Sequence, residues 1–163
     1  MRLFHVIAVF SILAPGCTTE PIDPAFASVD AEIHSLGMRL SFDQVDGGYT
    51  VYAGNANDAT IKKAVGHLKK LRQGKTIAMV DDDRRFSFFL SNTEITDKAI
   101  KDILTLEVTQ VRIDGTKVTK DCLQLLREEQ HLRDVFVGKD QFSKEVLRGF
   151  IDSRPNTTIT YVE

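Results

Sequence analysis

The chain has 163 residues, 21 lysines and arginines against 23 acids, and a formal charge of −2, or −3 once Arg2 is removed with a leader. With no basic field to attract it, nucleic acid is not an expected partner. The two cysteines, Cys17 and Cys122, leave no disulfide framework if the first is consumed in processing.

Arg2 followed by the apolar run Leu3 to Ala14 has signal-peptide length and is too short to span a bilayer as a helix. It closes on Leu13-Ala14-Pro15-Gly16-Cys17, which is similar to the bacterial lipobox, in which the cysteine is diacylated and becomes the new N-terminus. Residues 1–16 are accordingly expected to be a signal peptide. Residues 17–24 are read as a lipidated Cys17 and a tether rich in proline, threonine and acid. Plain secretion with cleavage nearby is the competing reading. The 147 residues from Cys17 to Glu163 suffice for one domain.

A helix is expected from Asp23, with Pro24 in its first turn, Phe26, Val29, Ile33 and Leu36 on one side, and Gly37 as its stop. Met38 to Phe42 and Tyr49 to Ala53 alternate like the strands of a hairpin. Asp58 to Leu71 reads as a second helix with Ile61, Val65, Leu68 and Leu71 inward and its lysines in solvent. Thr76 to Val80 then reads as a strand, paired as a hairpin with 86–90. Val51 and Ala53 are spaced like the start of an early, degenerate repeat, although Ala56 and Asp58 do not fit its later slots. Residues 25–84 are therefore an N-terminal α/β cap or degenerate repeats.

From Arg85 onward a unit recurs, with starts at Arg85, Val108, Leu132 and Asn156, which are 23, 24 and 24 residues apart. Counting each start as slot one, slots four, six and eleven are apolar: Phe88, Leu90 and Ile95; Val111, Ile113 and Val118; Val135, Val137 and Phe142. Slots four and six share one face of a short strand. Past slot eleven the period turns helical, with Ala99, Ile100 and Ile103, Cys122, Leu123 and Leu126, and Val146, Leu147 and Phe150 on the inner faces. Thr96, Thr119 and Ser143 stand where a hydroxyl caps the helix start, and Asp97, Asp121 and Glu145 suit its positive end. A helix between neighbouring parallel strands is the usual right-handed crossover. Cys122 falls in an inward slot and reads as a small buried hydrophobe.

These residues resemble the leucine-rich repeat family. The pattern LxxLxLxxNxL appears as VTQVRIDGTKV and LRDVFVGKDQF, and the tails ITDKAI and VTKDCL are similar to the variant of bacterial exported proteins and of the cysteine-containing subtype. Slot nine departs from the pattern, holding Thr93, Thr116 and Asp140 in place of Asn, and slot one is polar at Arg85 and Asn156. The resemblance covers about half the chain, 85–163. It implies an α/β fold: a short leucine-rich-repeat-like solenoid with parallel strands on one side and helices on the other, preceded by a helix, hairpin and helix cap. An ordinary α/β domain with coincidental spacing is the alternative.

Signs of chemistry are sparse. His5, His34, His67 and His131 are not at metal-ligand spacing, and no CxxC, GxSxG, P-loop or GxGxxG is present. Asp81 to Asp83 lacks the alternating acids, glycine and terminal glutamate of a calcium loop. No cofactor, no metal and no enzyme activity are expected. The alternative is a small exported enzyme or enzyme subunit with dispersed catalytic residues.

Slots two and five are expected to point outward, which places Phe86, Phe89, Arg112, Arg133 and Phe136 on an exposed strand face with the composition of an interface hot spot. The thr-rich segment 156–163 begins a further strand whose open edge would pair with a partner or a second copy. The expectation is a non-catalytic protein-binding or scaffold module of the bacterial cell envelope, lipid-anchored to a membrane through Cys17, facing the periplasm or the surface.

Overall fold

The computed structural model describes residues 24–43, 48–73 and 85–163. The leader, Cys17, the 76–80 strand and the Asp81 to Asp83 cluster lie outside the described residues. Among these residues the fold is α/β, with a six-stranded, mostly parallel sheet and five helices.

Helix α1 (Pro24–Ser35) buries Val29 and Ile33 and is followed by Gly37, whose φ of 74° suits a residue without Cβ. Strands β1 (Met38–Phe42) and β2 (Tyr49–Ala53) form the expected antiparallel hairpin, with Leu40 opposite Val51. Helix α2 (Asp58–Gln73) buries Ile61, Ala64, Val65, Leu68 and Leu71. Glu32 fastens α1 to it, accepting from Lys70 Nζ at 3.1 Å with His67 Nδ1 at 2.6 Å.

Three strand–helix units follow: β3 (Phe86–Phe89) with α3 (Asp97–Ile103), β4 (Val108–Arg112) with α4 (Lys120–Arg127), and β5 (Asp134–Gly138) with α5 (Lys144–Ser153). Strand β6 (Thr158–Val162) completes the sheet. The strand order in the sheet is the chain order, and every pairing from β2 to β6 is parallel. Leu40, Val51, Phe88, Val111, Val135 and Ile159 stand side by side in one inward row. That row and the inner helix faces make a single apolar cluster. Its cohesion comes from removing side chains of this size from water, about 1.5–3 kcal/mol each when fully buried.

Two expectations fail here. Strand β3 has β2 on one side and β4 on the other, both parallel, so 86–90 has no free edge for a hairpin with 76–80. Phe86 is fully buried, not exposed. The pleat explains it, because a residue two before the inward Phe88 is itself inward. Phe86 pairs with Val108, and a bulge follows at which Ser87 pairs with Gln110, leaving Thr109 as the extra residue. Phe86 therefore does the work that Val108 does from slot one, which is why Arg85 is free to be polar. Thr157 is likewise buried and donates its hydroxyl to Leu132 O at 3.1 Å, so slot two is inward there as well.

The helix starts interlock. Thr96 and Thr119 cap α3 and α4. The cap residue of each also gives its N–H and hydroxyl to the acid that opens the preceding helix: Thr96 to Asp58 at 2.8 and 2.6 Å, and Thr119 to Asp97 at 2.8 and 2.6 Å. Ser143 caps α5, but α4 opens with Lys120, so its side of the third joint has no carboxylate. In slot nine, Thr93 and Thr116 turn their hydroxyls back to Leu90 O and Ile113 O at 2.6 and 2.7 Å.

Candidate binding face

Opposite the apolar row, the alternate side chains of the strands form two ranks across the sheet. Pairing places Arg39, Tyr52, Phe89, Arg112, Phe136 and Thr160 in one rank. Ser41, Thr50, Ser87, Gln110, Asp134 and Thr158 form the other. The first is aromatic and cationic, and the second is polar and nearly uncharged.

Within the first rank the contacts are direct. The Arg39 guanidinium sits 4.4 Å from the centre of the Tyr52 ring, and Tyr52 stacks on Phe89 with centroids 5.2 Å apart. Arg112 Nε donates to Asp114 Oδ1 at 2.8 Å, and Ser91 Oγ donates to the same oxygen at 2.7 Å. Asp114 is only 8% exposed. Burial pushes its carboxyl up, but the hydrogen bonds from Arg112 and Ser91 and the Arg112 charge outweigh that and hold it below the ordinary aspartate value. The carboxylate thus fixes Arg112 in place. An open concavity of about 800 Å³ lies over this end of the rank, lined in part by His34, Arg39, Tyr52, Phe89 and Arg112. A smaller one of about 320 Å³ lies over the polar rank, with Arg133, Ser87 and Gln110 in its wall.

Of the five residues singled out in the sequence, Phe89, Arg112 and Phe136 share the rank, half-exposed, and Arg133 is exposed just before β5. Phe86 belongs to the core. Sequence reasoning missed Arg39 and Tyr52. The signal for Tyr52 was its place beside Val51, since a residue after an inward one points outward; Arg39 needed the hairpin register as well. The hairpin extends the face and does not cover it. Six strands at about 4.8 Å make it some 29 Å wide.

Cys122 is fully buried, and burial, followed by the nearby Asp97 and Asp121 charges, raises its thiol well above the ordinary range, which suits packing and not nucleophilic chemistry. Among the described residues no three metal-ligating side chains converge, and no helix is long and apolar enough to cross a membrane. Compared with protein-family models and with curated proteins, the sequence matches none.

Proposed function

We propose that the chain is a non-catalytic protein-binding module, a short leucine-rich-repeat-like coil held at a bacterial membrane by an acylated Cys17, with the aromatic–arginine rank as its contact surface. The observation that carries the binding reading is the unbroken rank Arg39, Tyr52, Phe89, Arg112 and Phe136, in which two arginines and three aromatics lie on adjacent strands. Tyrosine and arginine are the side chains that dominate binding energy at protein interfaces, and rigid strands hold them at little entropic cost. The parallel order of β2 to β6 and the slot pattern of 85–163 support the repeat reading. The charged-then-apolar leader ending in Cys17 supports the anchor.

A photo-crosslinking residue placed at Phe89 or Phe136 in the full chain is expected to capture a defined envelope partner that the same residue at Lys101, on the helix side, does not. With the crosslinker at Phe136, Phe89→Ala with Arg112→Ala should weaken that capture at least tenfold. Equal capture from both sides, or capture indifferent to the double substitution, removes the face as the contact surface. Mass spectrometry of the mature N-terminus reads the anchor separately, a diacylated Cys17 being the expected result and an unmodified one its refutation.

A further inference from the structure

Strand β6 lies at the end of the sheet, and its far side has no strand among the described residues. Which of its backbone groups face that side follows from two hydrogen bonds. Thr158 N donates to Arg133 O at 2.7 Å, and Val162 O accepts from Lys139 N at 3.3 Å. Since N–H and C=O of one residue point the same way and successive residues alternate, Thr158, Thr160 and Val162 face β5. Ile159 and Tyr161 present their N–H and C=O to the open edge.

The same end carries Ile151 on α5 and Tyr161 on β6, 42% and 53% exposed, the two large exposed hydrophobics among the described residues. α5 packs on α4, and no other described helix lies on its far flank. An unpaired edge beside exposed apolar side chains is what a sheet ordinarily protects by charge, bulge or cover. Among the described residues β6 has none of these: it reads Thr-Ile-Thr-Tyr-Val, without charge, proline or bulge.

We propose that this edge is occupied by β6 of a second copy of the chain, antiparallel, about a two-fold axis at Thr160. In that register Ile159 lies opposite Tyr161 of the second copy and Tyr161 opposite its Ile159. Both are hydrogen-bonded pairs, so all four outward N–H groups meet the four outward C=O groups. Thr160 faces its own counterpart in the intervening non-hydrogen-bonded position, a favourable cross-strand threonine pair. On the helix side the Ile159 and Tyr161 side chains cover one another across the axis. The arrangement closes on itself, whereas joining the β6 edge to the β1 edge of another copy would run on as an open filament. A five-residue strand with one layer beneath it buries less than the roughly 1,200 Å² of a stable complex, so the pair is a weak, concentration-dependent one. The inference is independent of what the outer face binds.

The test is Thr160→Cys in the full chain under mild oxidation, beside the parent chain and Thr158→Cys. Cα atoms about 4.5 Å apart in a non-hydrogen-bonded pair lie within disulfide reach. Position 158 is four residues from its own counterpart along the strand, about 13 Å and out of reach. Thr160→Cys is expected to give a reducible two-chain species at least fivefold above both controls, the parent chain setting the background from its native cysteines. No excess over the controls, or an equal excess at position 158, overturns the register. Sedimentation supplies the second arm: the parent chain's mean mass should rise towards two chains with concentration, and Tyr161→Glu should abolish the rise. A mass fixed at one chain up to about 1 mM, or one that climbs past two chains, overturns the pairing itself.

Discussion

The joints between successive units are built in two ways, and they differ along the chain. Between α2, α3 and α4 the joint is at the helix starts, where Asp58 and Asp97 each take two hydrogen bonds from the following cap threonine. Between the fourth and fifth helices it moves to the helix ends. There Arg127 reaches Gly149 O at 3.3 Å and Arg154 reaches back to Arg127 O at 3.5 Å, while Arg154 also ties in Leu132 O at 3.1 Å and Thr157 Oγ1 at 3.2 Å. The switch traces to one position. Where α2 and α3 open with aspartate, α4 opens with Lys120, and the link between α4 and α5 passes to two arginines, Arg127 reaching a carbonyl of α5 and Arg154 a carbonyl of α4.

The comparison can be broken at either joint. Arg154→Ala should cost the most, about 1–3 kcal/mol, because Leu132 O is part-buried and loses a charged donor. Asp97→Ala should cost roughly 1 kcal/mol, since Thr119 is exposed and water replaces part of what the carboxylate gave. Denaturant midpoints read both, and the reverse order would make the helix-start interlock the stronger joint.

Asp114 extends the comparison to the outer face and has a sign that can be checked. Its native value is depressed below 3.8, so its stabilisation is fully present above that value and is lost as pH falls through the lowered native one. The stability gap between the parent chain and Asp114→Asn should be constant from neutral pH down to about 5 and then close on the acid side of about 3.8. A gap that changes between pH 5 and 8 would contradict the Arg112–Asp114 assignment.

The smallest expected effect is a gain. Lys120→Asp restores an acid at the start of α4, opposite Ser143, and should add about 0.5–1 kcal/mol by extending the interlock one unit further. No change would mean that the unit spacing at α5 differs from that at α3 and α4.

The period of 85–163 made the strands, caps and inner helix faces legible, because inward positions at Phe88, Val111 and Val135 recur with both strand and helix spacing. Two features escaped. Val51 and Ala53 do begin a strand–helix unit parallel to the next, but its strand-to-helix stretch is two residues shorter: Asp58, which looked misplaced in slot eleven, performs the task of Asp97 in slot thirteen. The bulge at β3 to β4 shifts Phe86 into the core, and a bulge depends on a neighbouring strand, not on local composition. Two of the five arginine and aromatic residues of the rank were hidden for the same reason, since Arg39 reaches Tyr52, and Tyr52 reaches Phe89, only through pairing across three strands.

The helix-start interlock has a direction. Each aspartate reaches forward to grip the threonine of the unit that comes after it, and the main contacts between elements all join consecutive members of the series. A chain emerging from the ribosome can therefore zip from front to back, each finished turn serving as the template on which the newest one docks.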